Sequence, residues 1–404
     1  MKIACIGNMN NAMFAIVRNL RDLNYDAHLF LVEEFDHFLP LADTYDDILP
    51  DYVHQLNWYN IGHWAISKEK IKKDLEGFDF FIGTDLAPAF LIKAGIELDI
   101  FTPHGGDIFK HCYYSFENFP PKKHEIGAWY RSYHQRKGAR RAKYIMFDIT
   151  NDSNELYFKT LNLQKNRLFI NAPYIYPKQY TEQTFIKNKE YEKAKLIRAK
   201  YDLVLFHQSR HVWKTHIDSL HYKANDRIIR GYAKFLAENS SSKSLLIMFE
   251  YGWDFQDSKN LVTELGISEK VLWLPIMPRK DLMVWLSIAD MGIGEVANSW
   301  FSYGSVYEVL CSQKPFLGYR KDDDFKTQYP EQYPMVSANT EELICIALND
   351  LKSNPLHYKE MGEKGYDWFM KFAINRPINE IIKQIEAKKV VLDNNGFKKN
   401  LVKN

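Results

Sequence analysis

The chain reads as α/β, with two Rossmann-like, doubly wound domains facing a cleft. Three observations predict this. Short apolar runs alternate with amphipathic stretches over residues 1–176 and again over residues 201–360, and strands alternating with helices imply parallel, doubly wound sheets. Residues 177–200, between the two series, are charged and helix-prone with no apolar strand, which marks a linker region. A length of 404 residues also exceeds what one ordinary core takes up.

The first series opens with the strand Lys2–Ile6, which ends at Gly7. A helix follows, with Met13, Ile16, Val17, Leu20 and Leu23 at helical spacing. Ala27–Val32 and Phe78–Ile82 are the next strands. Ile100–Thr102 is a short one before His104-Gly105-Gly106-Asp107. Tyr144–Ile149 and Arg167–Ile170 continue the pattern to Asn171-Ala172-Pro173. The second series has strands at Leu203–Phe206, Leu245–Phe249, Val271–Leu274, Met291–Ile293 and Phe316–Gly318. Its helices carry Ile228, Tyr232, Phe235 and Leu236, then Leu282–Ile288, then a stretch starting at Gly304. Residues 361–390 read as final helices and residues 391–404 as a frayed tail. In such sheets ligands bind at the carboxyl ends of the strands, so the loops there hold the candidate site residues.

Composition narrows the function. Hydrophobic content of 46% and charged content of 26% are those of a globular protein. A net charge of +2 argues against a polyanion partner, so no nucleic acid is expected. Cys5, Cys112, Cys311 and Cys345 are scattered, without metal or redox spacing, as in a reduced cytosolic protein. The strand at the first residues leaves no signal peptide, and no apolar run approaches the roughly 20 residues of a membrane span. The expected location is cytoplasmic, in solution or at a membrane surface.

The segment Ser302-Tyr303-Gly304-Ser305-Val306-Tyr307-Glu308, followed by Lys314-Pro315, is the most informative. A helix starting at Gly304 and Ser305 offers backbone N–H groups and a positive dipole end to phosphate. Glu308, about one turn in, can accept hydrogen bonds from the vicinal hydroxyls of a ribose. The loop Gly7-Asn8-Met9-Asn10-Asn11-Ala12 meets the dinucleotide fingerprint only in part, because Met9 stands where backbone must approach a pyrophosphate. That weighs against an NAD enzyme. Asn8 and Asn10 either bind a polar group or cap a tight turn. His104, at a strand end beside glycines, can act as a base or hydrogen-bond a sugar hydroxyl, with Asp107 in the same loop. Arg210 and Lys223 flank one loop and can neutralise a diphosphate leaving group as its charge develops, with Lys214 a rival for the second role. Asn225-Asp226 reads as a helix cap. Asp322-Asp323-Asp324, between lysines, reads as a solvated loop, and no metal is assigned. Residues 122–143 carry eight basic residues against Glu125, with Trp129, Tyr130 and Tyr133 among them. A solvated helix face, or contact with an anionic membrane surface or a phosphorylated acceptor, fits this stretch.

From about Leu203 to Gly318 the chain resembles the GT-B-fold glycosyltransferases, in particular the family-four-like group that uses nucleotide sugars. Lys223-Ala224-Asn225-Asp226 is similar to that group's Lys-Gly-x-Asp helix start. Leu265-Gly266-Ile267, Val271-Leu272-Trp273-Leu274-Pro275, Glu308 and Lys314-Pro315 match its later motifs, and His104-Gly105-Gly106-Asp107 its N-terminal histidine loop. The resemblance implies a donor held mainly by the second domain and a final helix crossing back to the first. It places Arg210 and Lys223 on the diphosphate, Glu308 on the ribose, Ser305 and its neighbours on phosphate, Pro275 and Ile276 near the base, and His104 beside the transferred sugar. Trp300 stands where the group has an earlier glutamate, and Glu295 of the same loop is its substitute. Ala224 replaces a glycine.

The function expected from this is transfer of a sugar from a nucleoside diphosphate, UDP-type, to a hydroxyl of a cell-surface glycan or lipid-linked glycan. Retention of configuration follows the group's usual outcome. Fixed cations serve in place of a metal, and there is no cofactor beyond the donor. Two alternatives stay open: a nucleotide-sugar epimerase acting on the donor alone, and a non-catalytic partner subunit, the reading Trp300 supports.

Overall fold

Each alternating series builds an all-parallel sheet. The computed structural model describes residues 1–32, 39–113, 122–148, 152–215 and 221–401, without the side chains of residues 123, 124, 152–154, 165 and 393–401. One unit comprises Met1–Tyr176 with Phe372–Asn404, the other Pro177–Lys371.

The first unit holds β1 (Ile3–Ile6), β2 (Ala27–Leu31), β3 (Val53–Gln55), β4 (Phe80–Gly83), β5 (Ile100–Phe101), β6 (Tyr144–Met146) and β7 (Arg167–Leu168), in the order β3-β2-β1-β4-β5-β6-β7. Ile3 pairs with Ala27 on one side and Phe80 on the other, so the order reverses between β1 and β4. Every residue of β1 is buried, as a central parallel strand covered on both faces requires. Around the sheet lie α1 (Ala12–Asp22), α2 (Trp58–Ile61), α3 (Lys68–Asp74), α4 (Ala87–Lys93), α5 (Gly106–Phe109), α6 (Lys123–Arg141) and α7 (Asp152–Thr160). Helices α4 and α6 touch closely at Gly138, where a Cβ would stand 2.2 Å from the Pro88 carbonyl oxygen.

The second unit begins with α8 (Glu182–Phe185) and α9 (Tyr191–Arg198). Residues 177–200, expected as a linker, therefore fold as helices within this unit, with Tyr191 and Ala194 buried. Its strands are β8 (Leu203–His207), β9 (Ser244–Phe249), β10 (Val271–Leu274), β11 (Met291–Ile293), β12 (Phe316–Gly318) and β13 (Val336–Ser337), ordered β10-β9-β8-β11-β12-β13. Here the reversal falls between β8 and β11, which pair at Leu205–Met291 and His207–Ile293. Helices α10 (Asn225–Glu238), α11 (Phe255–Glu264), α12 (Arg279–Ser287), α13 (Gly304–Cys311), α14 (Glu341–Ser353) and α15 (Pro355–Trp368) cover the sheet.

A π-helical stretch, Phe369–Asn375, leads into α16 (Arg376–Leu401). The chain leaves the second unit at residues 371–372, not at residue 360 as expected. Ile378, Ile381 and Ile385 of α16 join the core of the first unit with Met13, Val17 and Ile82. Lys388 Nζ lies 2.6 Å from Asp99 Oδ2, and Tyr25 Oη donates to Glu386 Oε1 at 3.0 Å. The expected frayed tail is helical as far as Leu401, and residues 402–404 lie outside the described residues. The expected strand end at Ile149 also lies outside them. All four cysteines are free and buried.

Candidate functional site

In the second unit, polar side chains gather at the carboxyl ends of β8 and β11, the switch point where open α/β sheets bind ligands. β8 ends in the fully buried His207, whose Nδ1 lies 2.9 Å from the Ile293 carbonyl oxygen and Nε2 2.8 Å from Asn225 Nδ2. Burial lowers its pKa to about 4. The ring is therefore neutral, with Nδ1 donating to the carbonyl and Nε2 accepting from the amide. Asn225 Oδ1 accepts from the Val212 N–H at 2.9 Å. Contrary to the expectation from the sequence, Asn225 does not cap α10; its side-chain amide joins α10 to β8 and to the loop after it. Ala224 begins α10 in the left-handed region, φ 54°. That conformation suits the glycine of the motif better.

Lys223 Nζ lies 2.5 Å from Glu295 Oε1, both side chains nearly buried at 12% and 11% exposure. Glu295 follows β11, and its N–H donates to Tyr303 Oη at 2.7 Å. Burial raises its pKa, opposed by the cations Lys223 and Arg210. Arg210 itself is exposed and makes no hydrogen bond or ion pair with the described residues. Tyr251 Oη donates to the Gln208 carbonyl at 2.8 Å. Burial pushes its phenol up to about 12; Glu308 and Glu295 add to the rise, and Arg210 opposes it. Arg210, Lys223, Glu295 and Glu308 thus share one neighbourhood around Tyr251.

Glu308 is held on both oxygens, Oε1 by Arg279 Nε at 3.1 Å and Oε2 by Gln208 Nε2 at 2.9 Å. Each oxygen keeps a further lone pair for a hydroxyl donor. Glu308 belongs to α13, whose N-cap Tyr303 gives no side-chain hydrogen bond to the helix. Gly304 is exposed, with open space where a Cβ would stand, so the unpaired first amides can be approached. Pro275 and Ile276 are exposed after β10, and no side-chain hydrogen bond or ion pair among the described residues ties them to this cluster. Lys214 Nζ is engaged by Asp257 Oδ1 at 2.5 Å, away from Glu295. Sequence reasoning missed Gln208, Tyr251 and Arg279. Only Gln208 carried a signal, as a neighbour of Arg210 in the loop after β8.

In the first unit a second polar group lies at the carboxyl ends of β1, β4 and β5. Gly7 has φ 83°, and a Cβ there would meet Thr84 Cγ2 at 2.9 Å. Asn8 Oδ1 accepts from the Phe14 N–H at 3.0 Å and its Nδ2 donates to Asn11 Oδ1 at 2.8 Å, so this side chain holds the start of α1. Asn10 is exposed, with φ 54°. Asp107 accepts from the N–H groups of His104 at 2.9 Å and Gly105 at 2.8 Å and so shapes the histidine loop. His104 Nε2 is buried without a hydrogen-bond partner among the described residues, burial lowers the ring's pKa to about 4, and the ring lies 5.3 Å from Tyr174.

Asp85, directly after β4, is the residue that sequence reasoning missed here. It is buried at φ 51°, accepts from Tyr59 Oη, and has His111 Nε2 3.9 Å away. Burial and then the Asp85 charge raise the Asp107 carboxyl to about 7. Gln135 of α6 ties the two loops together, its Nε2 donating to the carbonyls of Asp85 at 2.7 Å and Asp107 at 3.2 Å. The signal was present in Thr84-Asp85, placed at a strand end as His104 is.

The architecture has solved counterparts. The Anabaena protein Alr3699/HepE, solved with UDP, superposes with TM-score 0.60 at 15% identity, covering 96% of this chain and 100% of that one. The fold is GT-B. A putative UDP-N-acetylglucosamine 2-epimerase from Listeria monocytogenes gives TM-score 0.58 at 14% identity, covering 96% of both chains. The lipopolysaccharide outer core galactosyltransferase WaaB gives 0.51 at 13%, covering 96% of this chain and 100% of that one. No protein-family model and no curated protein sequence matches the chain.

Proposed function

We propose that this protein transfers a sugar from a UDP-sugar to a hydroxyl of a glycan or lipid-linked glycan. The observation that carries the reading is Arg210, an exposed cation with no hydrogen-bond or ion-pair partner among the described residues, beside the Lys223–Glu295 pair and Glu308 at the β8/β11 switch point. A diphosphate leaving group gains charge as the glycosidic bond breaks. Arg210, Lys223 and the uncapped start of α13 are poised to meet that charge, and fixed cations of this kind stabilise a transition state without reorganising. Glu308 takes the ribose hydroxyls, held in place by Arg279 and Gln208. The transfer is metal-independent and retaining in this reading, with His104 at the sugar. GT-B structures holding UDP, among them HepE, support the choice of nucleotide.

One observation favours a second reading, epimerisation of the donor alone. Asp107 is buried near Asp85, and burial first, then the Asp85 charge, raises its carboxyl to about 7. A carboxyl raised toward neutrality in this way suits removal and return of a proton. Calorimetry with UDP, GDP, CDP, ADP and their sugar conjugates tests the nucleotide assignment, UDP and its sugars being the expected ligands. Binding of none would refute both readings. Incubating the bound UDP-sugar without acceptor then separates them: a new sugar epimer identifies the second.

A further inference from the structure

Helix α6 buries polar side chains and exposes large apolar ones. Glu125, Ser132 and Gln135 face inward, 3%, 1% and 0% exposed, beside Ala139. Outward stand Ile126, Trp129 and Tyr133, 39%, 41% and 45% exposed. At 3.6 residues per turn, Ile126, Trp129, Tyr133, Lys137 and Arg140 fall within an arc of about 80° and form one continuous stripe, with Lys122 just before the helix. Trp64, 61% exposed, extends the aromatic part, its ring 4.8 Å from Tyr130. Lys93 Nζ fixes that loop through the carbonyls of His63 at 2.6 Å and Trp64 at 3.0 Å.

The buried polar face is satisfied within the first unit. Glu125 Oε2 accepts from the Lys122 N–H at 2.5 Å, Ser132 Oγ accepts from Arg136 at 3.0 Å, and Gln135 binds the two site loops. The orientation is therefore fixed from inside, and the apolar stripe is left outside. Glu125 is the only acidic residue of α6, so its exposed surface carries cations alone. Lys122 and Lys137 make no ion pair with the described residues.

We infer that the outer face of α6, with Trp64, is a docking surface for an anionic lipid bilayer. Tryptophan and tyrosine seat at the boundary between headgroups and acyl chains, and lysines beside them attract acidic headgroups. Trp129 and Tyr133 between Lys122 and Lys137 match both layers of an anionic bilayer surface, the acyl boundary and the acidic headgroups. The inference rests on the proposed function only in that a lipid-linked acceptor gives the surface its purpose. Gln135 makes α6 continuous with the loops of Asp85 and Asp107, so docking would present the acceptor side of the first unit to the bilayer.

The test is flotation of the full chain with vesicles of phosphatidylcholine alone or mixed with phosphatidylglycerol. Binding is expected only to the anionic vesicles and falls as salt rises. W129S/Y133S should lower it at least tenfold, and Lys137→Ala about fivefold, the worth of one lysine near such a surface. UDP affinity should stay unchanged in both variants, which shows that they fold and separates this inference from the nucleotide reading. Equal binding to neutral vesicles, or none to anionic ones, would overturn it. So would a dimer in sedimentation that W129S/Y133S dissolves, since a second copy would then be the occupant.

Discussion

Replacing Lys223 by methionine removes the cation that keeps the Glu295 carboxylate charged. The two side chains are 12% and 11% exposed and 2.5 Å apart. Breaking a buried pair from one side costs about 3–5 kcal/mol, because the remaining charge is left uncompensated. Glu295 can escape by taking up a proton, and burial already raises its pKa in the intact pair. Without Lys223 the folded-state pKa rises further, so the folded chain binds this proton more tightly than the unfolded chain. Stability is then complete below the ordinary glutamate value near 4.5 and is lost as pH rises through it toward the folded value. Urea unfolding followed by tryptophan fluorescence should show K223M close to wild type at pH 4.5 and about 3–5 kcal/mol less stable at pH 8. Adding Glu295→Gln should recover most of the loss at pH 8. An equal deficit at both pH values, or no recovery in the double variant, would refute the coupling.

Other substitutions isolate the remaining assignments. Arg210→Ala should leave the melting temperature unchanged, since the side chain makes no hydrogen bond or ion pair with the described residues. It should cost about 1.5–3 kcal/mol of UDP-sugar binding in calorimetry, the range for hydrogen bonds to a charged group, with a larger loss in turnover. Equal losses in affinity and turnover would reduce Arg210 to ground-state binding. Glu308→Ala should weaken UDP binding about tenfold by removing a charge-assisted acceptor, and unchanged affinity would end the ribose assignment. His104→Ala should lower turnover with UDP affinity intact; a folded, fully active variant would exclude the histidine. Gly138→Ala places a methyl 2.2 Å from the Pro88 oxygen, so α4 and α6 must separate at a cost of about 1–3 kcal/mol, read as a lower melting temperature.

Much of the fold was legible because central parallel strands are apolar on both faces. Met291–Ile293 and Phe316–Gly318, both internal to their sheet and fully buried, stand where their apolar runs place them. The edge strands Val53–Gln55 and Val336–Ser337 were missed, since two or three half-buried residues carry no period. Residues 177–200 were misread because α8 and α9 each bury only one or two side chains. Helix α6 was seen as a basic, aromatic stretch, but its polar inward face hid which way it pointed. Within the candidate site, Arg210, Lys223 and Glu308 lie in strand-end loops or a helix start, where local signals exist. The clamps on Glu308 come from 29 and 100 residues away in the chain, and no spacing announces them.

The burial of every thiol makes this chain its own reporter of opening. Cys5 and Cys112 belong to the first unit, Cys311 and Cys345 to the second. Each thiol is shielded sterically, and burial pushes Cys112 up to about 12, so little reactive thiolate exists until the surrounding core opens. Alkylation at each position therefore times the opening of its own unit, without any engineered label. UDP held by the second unit should slow modification of Cys311 and Cys345 while Cys5 and Cys112 react at their former rate.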